Sequence, residues 1–145
     1  MSARERTGQR DLLYNDWHRR DSFMRYMTQV EAHRCAAIDV DFCEWCTKCY
    51  QPLALVETQQ SRSFDKPYTI TRNLALAAQI DAFVVSYWPT DDGLDIEGMK
   101  VQQVAPRLAA PVEMTPREWA LKLYDLRTAH EMTSCSSEHA MRFAQ

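Results

Sequence analysis

The stretch AAIDVDFCEWCTKCYQPLALVETQ, residues 36–59, decides the predicted fold. Its first part, Ala36–Trp45, alternates apolar and polar side chains with the two-residue period of a half-buried β-strand. Its second part, Pro52–Glu57, is a continuous apolar run of the kind found in strands that are covered on both faces. A cysteine-rich segment, residues 43–49, lies between the two, so we predict a β-hairpin with this segment at its tip.

Helical and strand patterns alternate along the rest of the chain. The clearest is Thr115–Glu118, which combines a capping box with proline at the first helical position. Strands that alternate with helices indicate a mixed α/β domain. We therefore predict one domain over residues 1–145, with a central mixed sheet that contains the acidic hairpin and is flanked by helices. The further predicted elements are a helix over Asp11–Val30, a loop over Ser61–Pro67, a helix capped at Thr71, a strand over Ala82–Trp88, an edge strand within Met99–Val104 and a helix after Thr115.

Composition and charge limit the class of protein. The chain has 145 residues, of which 46% are apolar, and a formal net charge of -3, as expected for a globular domain. No apolar run reaches the roughly 18 residues that span a bilayer, and the N-terminal residues lack the apolar region of a secretory signal. Five cysteines, an odd number, argue against a secreted disulfide framework. We expect an intracellular protein without membrane partners.

Acidic side chains lie within the predicted hairpin. If its strands pair around a turn near Cys49, Asp41 lies opposite Glu57 and Asp39 opposite Gln59, so that all four share one face. Opposed carboxylates about 5 Å apart at Cβ repel one another unless a cation lies between them. Their oxygen atoms suit magnesium or manganese. The alternative is a solvated face of a sheet that carries no metal.

The order of these segments resembles that of the PD-(D/E)XK nuclease superfamily, which has the restriction-endonuclease-like fold. An N-terminal helix, a strand with an aspartate, a hairpin, a strand with glutamate, a helix and a further strand occur in that order. The segments Tyr14–Arg19, Ile38–Glu44 and Pro52–Thr58 look like small phage-encoded members. The resemblance implies a phage-encoded protein in the cytoplasm of its host, with DNA as a partner.

The resemblance also implies catalytic roles. Asp41 and Glu57 match the paired acids that bind magnesium or manganese, and Asp39 is an additional candidate ligand. In this superfamily the cation polarises the scissile phosphate while hydroxide attacks phosphorus in line with the leaving oxygen. The implied activity is hydrolysis of DNA phosphodiester bonds.

One position departs from the family motif. Gln59 stands where the family usually has lysine, so it is the third candidate catalytic residue but carries no positive charge. Lys48 and Lys66 are alternative cations, although sequence spacing selects neither. Two other functions therefore stay open: a catalytically silent nuclease fold that binds a host protein, for instance as an inhibitor of host defence, and a zinc-stabilised nucleic-acid-binding module.

The cysteine-rich tip predicts a second metal site. Cys43, Cys46 and Cys49 form two consecutive C-x-x-C spacings, the usual spacing of thiolates that share one zinc ion. Reduced thiols without metal and an iron-sulfur cluster are the alternatives. The fourth ligand is left open among His33, Cys35, His130, Cys135 and His139.

Overall fold

The computed structural model describes residues 40–135. The helix predicted over Asp11–Val30 and the strand segment before Val40 lie outside the described residues. Whether residues 1–145 form one domain stays a prediction, because the described part is a single α/β unit within the chain.

Five strands and two helices make up the described part. None of these helices has the length and apolar character needed to cross a membrane. In chain order the elements are β1 (Phe42–Trp45), β2 (Pro52–Gln60), α1 (Thr69–Ala78), β3 (Asp81–Pro89), β4 (Ile96–Ala105), β5 (Val112–Met114) and α2 (Pro116–Thr133).

The strands form one mixed sheet in the order β1-β2-β3-β4-β5. The β1–β2 hairpin is antiparallel, α1 connects β2 to the parallel strand β3, and β4 and β5 continue antiparallel. Within the hairpin Phe42 pairs with Val56. Continuing this register by one residue places Asp41 opposite Glu57, as the sequence predicts.

Each face of the sheet carries its own apolar cluster. Buried β2 residues alternate between them, which confirms a strand covered on both sides. The α2 face contains Ala54, Val56, Phe83, Val85, Met99 and Val101, against which Trp119 and Leu126 of α2 pack. The α1 face contains Leu55, Ala75, Ala82, Val84, Val104 and Ala105, with Val40, Phe64, Tyr68 and Ile80 at its margin.

Three details differ from the sequence predictions. The β4 strand is not at the edge of the sheet, because the short strand β5 pairs with it. The helix α1 begins at Thr69, so Thr71 lies inside the first turn instead of capping it. Val40 and Phe42 do not share a core face: Val40 packs in the α1-side cluster, whereas Phe42 is 59% exposed and pairs with Val56 of the other cluster. Val40 and Asp41 precede β1, so strand alternation does not extend to them.

Candidate functional site

The open end of the β1–β2 hairpin brings two carboxylates and an amine together. Lys66 Nζ lies 2.8 Å from Asp41 Oδ2 and 2.8 Å from Glu57 Oε2. Asp41 directly precedes β1, Glu57 lies within β2, and Lys66 belongs to the loop between β2 and α1. The predicted pair of acids is therefore adjacent in the fold, with a cationic side chain bridging it.

The carboxylate of Glu57 is buried and held at both oxygens. The residue is only 3% exposed, and the Thr71 hydroxyl donates a 2.8 Å hydrogen bond to Oε1 while Lys66 contacts Oε2. A buried carboxylate without partners is strongly destabilising, so these two contacts account for a glutamate at the end of an apolar run. Thr71 acts here as a second support for the site, contributed by the first turn of α1.

Asp41 is held by hydrogen bonds from Thr58 of β2. The Thr58 backbone N–H and hydroxyl donate hydrogen bonds of 2.7 Å and 3.0 Å to Asp41 Oδ2. Desolvation opposes ionisation, but the hydrogen bonds from Lys66 and Thr58 and the Lys66 charge outweigh it and lower the Asp41 pKa below its ordinary value of 3.8. Asp41 is thus positioned and kept anionic near neutral pH.

Lys66 is the residue that sequence spacing could not select. Its amine also donates a 2.8 Å hydrogen bond to the Thr58 carbonyl, so three oxygen atoms surround it. Burial disfavours the charged amine, but hydrogen bonds to Asp41 and Glu57 and their charges prevail and raise the pKa of Lys66. The amine is therefore positively charged in the folded protein.

Gln59 does not join this group. Its side-chain amide donates to the Ser63 carbonyl at 3.1 Å and to the Asp65 carboxylate, so it braces the loop that carries Lys66. Among the described residues, the cation at the carboxylates is Lys66 and not the residue at the motif position. Asp39, predicted to face Gln59, lies outside the described residues.

The opposite end of the hairpin is a tight turn built around the second C-x-x-C spacing. The Cys46 N–H donates to the Gln51 carbonyl and the Tyr50 N–H donates to the Cys46 carbonyl, both at 2.8 Å. Tyr50 has a φ of 61°, in the left-handed region that non-glycine residues seldom occupy. Its ring stacks on Trp45 with centroids 5.9 Å apart, so the turn closes between the flanking strands.

Four potential metal ligands converge beside this turn. Cys46, Cys49, His130 and Cys135 place their ligand atoms within 4.8 Å of one another. Cys46 Sγ lies 3.8 Å from Cys135 Sγ, and Cys49 Sγ lies 3.3 Å from His130 Nε2. Three sulfur atoms and one imidazole form a set that could hold a metal such as zinc.

The ligand set differs from the predicted one in a single cysteine. Cys43 lies within β1, paired with Leu55, and is not a member of the four-residue group. Its thiol instead contacts the carbonyl of Glu44 at 3.6 Å. The structure selects His130 and Cys135 from the open list of further ligands, and His33, Cys35 and His139 lie outside the described residues.

The pKa values of two of these thiols are shifted in opposite directions. Backbone N–H groups of Cys49 and Lys48 donate to the Cys46 sulfur and lower its pKa to about 6. Desolvation and the neighbouring Cys46 and Cys49 raise the pKa of Cys135 to about 11. Three thiolates at this spacing repel one another, so a cation is needed for all of them to ionise near neutral pH.

No protein-family model, curated protein or solved structure matches this chain. The likeness to PD-(D/E)XK nucleases therefore depends on the sequence segments given above.

Proposed function

We propose that the protein is a metal-dependent nuclease that hydrolyses DNA phosphodiester bonds at the open end of the β1–β2 hairpin. The observation that carries the proposal is the position of Lys66, whose amine is 2.8 Å from both Asp41 and Glu57. The motif requires two acids and a cation in one place, and the loop supplies the cation that Gln59 lacks. The chain order hairpin, α1 and parallel β3 agrees with the order of elements that the resemblance implies.

The residues present fit a divalent cation. Asp41 and Glu57 offer carboxylate oxygens, the donors that magnesium and manganese prefer. The hydrogen bonds that described residues make to Asp41 all reach Oδ2. Bound by these two acids, the cation would supply Lewis-acid polarisation of the scissile phosphate.

The chain's own residues divide the remaining work. Thr71 and the Thr58 amide fix the two carboxylates before substrate arrives, which avoids reorganisation during the reaction. Lys66 is on a flexible stem with its side chain 27% exposed, so it can release a carboxylate and reach a phosphate oxygen. There its charge stabilises the negative charge that develops as hydroxide bonds to phosphorus and the ester oxygen leaves, taking a proton from solvent water.

The test is cleavage of single- and double-stranded DNA with magnesium or manganese. Asp41→Asn, Glu57→Gln and Lys66→Met should each reduce the rate by about 100-fold or more, since the first two remove a ligand of the cation and the third removes the charge that contacts the phosphate. Lys100→Met is the matched control, because Lys100 also faces a carboxylate, Glu113 at 3.5 Å, but on β4 and β5. Undiminished cleavage in Glu57→Gln would refute the assignment.

A second candidate function is binding of a host protein by a catalytically silent nuclease fold. The contact of Lys66 with Asp41 and Glu57 favours it in a different way. Lys66 contacts both carboxylates and offsets one of their two negative charges, so the charge of the site is partly balanced without a metal. On this alternative no metal-dependent cleavage occurs at any protein concentration. Lys66→Met would then weaken stability and increase manganese binding while leaving the absence of cleavage unchanged.

A further inference from the structure

Helix α2 makes few contacts with the sheet for its length. It is 18 residues long and none of its residues is buried. Near its start Trp119 packs edge-on against Phe83 with ring centroids 5.4 Å apart, and Leu126 adds a partly buried contact. Farther along, Tyr124 and Met132 are 64% and 79% exposed. Most helical stability in proteins comes from tertiary packing, so a further attachment at the C-terminal end would stabilise α2.

That end carries two of the four converging ligands. His130 is in the last turn of α2 and Cys135 follows the helix, while Cys46 and Cys49 belong to the hairpin turn. The contacts join positions 81 and 89 residues apart in sequence. A link that closes so long a stretch of chain restricts the unfolded state strongly.

The distances suit one tetrahedral ion. With zinc bonds of about 2.3 Å to sulfur and about 2.0 Å to nitrogen, ligands at a tetrahedral angle lie about 3.8 Å apart for two sulfurs and about 3.5 Å for sulfur and nitrogen. The observed separations are 3.8 Å and 3.3 Å. A two-iron cluster distributes its ligands over two metal atoms, whereas all four donors here lie within 4.8 Å of one another.

We infer that Cys46, Cys49, His130 and Cys135 bind one zinc ion in a closed structural site that fastens the C-terminal end of α2 to the β1–β2 hairpin. The site is structural because four protein ligands fill a tetrahedral shell and leave no position for water or substrate. It is independent of the nuclease proposal, since none of its ligands belongs to the Asp41, Glu57 and Lys66 group.

The first measurement is the metal content of the full chain purified without chelator. We expect about one zinc per chain in the wild type and in Cys43→Ser, and less than about one tenth in Cys135→Ser. Cys43→Ser is the matched control because it removes the neighbouring C-x-x-C cysteine that lies outside the four-residue group. Zinc retained in Cys135→Ser but lost in Cys43→Ser would overturn the ligand set, and a wild-type chain without zinc would overturn the site.

Three further measurements do not depend on a variant that lacks a ligand. Cobalt(II) exchanged into the wild type should give the intense visible bands of tetrahedral thiolate coordination, and His130→Cys should keep its zinc because it retains four suitable ligands. Hydrogen exchange should then show that chelation deprotects the C-terminal turns of α2 more than the turn that begins at Thr115. Octahedral cobalt, loss of zinc from His130→Cys, or equal protection of α2 with and without zinc would each contradict the inference.

Discussion

The two ends of the β1–β2 hairpin solve opposite electrostatic problems. At the open end, Asp41 and Glu57 meet a cation that the chain itself provides, because Lys66 contacts both carboxylates. At the turn, three cysteines and a histidine converge, and the cation that would balance three thiolates is not among those four donors. At the open end the chain's own lysine offsets one of the two carboxylate charges, whereas the turn needs an ion from outside to hold three thiolates.

This difference separates a group that can exchange its contacts from a group of ligands that would hold one ion in a closed shell. A lysine on a flexible stem can exchange a carboxylate for a metal ion or a phosphate, so the open end can change its partners. Four soft ligands around one ion form a closed shell, and rearranging it would break metal bonds. Our proposals therefore place catalysis at the oxygen-rich end and stabilisation by a metal at the sulfur-rich end.

The largest expected effect comes from removing zinc. Structural zinc sites in small domains contribute about 10 kcal/mol or more of apparent binding energy, and because this sheet has its own core we expect the free energy of unfolding to fall by about 5 kcal/mol. Denaturant unfolding of the full chain with and without chelator measures this. Readdition of zinc should restore the midpoint, whereas magnesium should not. Equal midpoints in all four samples would show that zinc does not stabilise the fold.

A smaller effect is expected at the open end. Lys66→Met leaves the buried Glu57 carboxylate without its cation, and breaking such a pair from one side costs about 3 kcal/mol. Manganese should increase the stability of Lys66→Met, because it replaces the missing charge. It should increase the stability of the wild type less. The double variant Glu57→Gln/Lys66→Met should be more stable than Lys66→Met alone. A Lys66→Met protein as stable as the wild type would show that Glu57 does not depend on this amine.

The two ends also differ in how far sequence reasoning reached. The predicted hairpin and its register are found in the structure, where an apolar run and a turn are local patterns, although the predicted alternation does not extend to Val40 and Asp41. Asp41 and Glu57 are therefore correctly paired from the sequence. Lys66 could not be selected, because its position depends on the course of a loop that is braced by Gln59.

The cysteine turn shows the same limit in another form. The second C-x-x-C spacing supplies two ligands, since Cys46 and Cys49 belong to one local turn. Cys43, predicted from the same spacing, lies within β1 and is not a member of the four-residue group. The remaining ligands required the packing of α2, more than 80 residues away in sequence. In both sites, local pattern identified the near residues and tertiary packing supplied the distant ones.

Acidification should probe the open end by a third route. The pKa of Asp41 is below 3.8 in the folded protein, so its ionised form stabilises the fold above about pH 4 and this contribution is lost as the pH falls through the folded value. Between about pH 5 and pH 3 the wild type should therefore lose more stability than Asp41→Asn, which has no such group to protonate. Unfolding curves for both proteins across this range measure the difference. Parallel curves would mean that Lys66 and Thr58 do not stabilise the anion.

The smallest expected effect tests whether zinc holds α2 in place. Two guanidinium nitrogens of Arg127 contact Glu44 Oε2 at 2.6 Å and 2.7 Å, which joins α2 to β1 close to the cysteine turn. The Arg127 side chain is 58% exposed, so Arg127→Ala should destabilise the zinc-loaded protein by only about 0.5 kcal/mol.

The effect of Arg127→Ala on stability is informative when it is also measured in the zinc-free protein. If the C-terminal end of α2 detaches without zinc, the ion pair is not formed there, and Arg127→Ala should then have almost no effect on stability. If the ion pair can hold the helix alone, the substitution should instead be more harmful in the zinc-free protein. Because zinc and Arg127 attach the same part of α2, their contributions cannot add independently. We expect the first result. The measurement is a thermodynamic cycle that combines Arg127→Ala with chelation of zinc. Equal losses of stability in the zinc-loaded and zinc-free proteins would show that α2 stays docked without zinc.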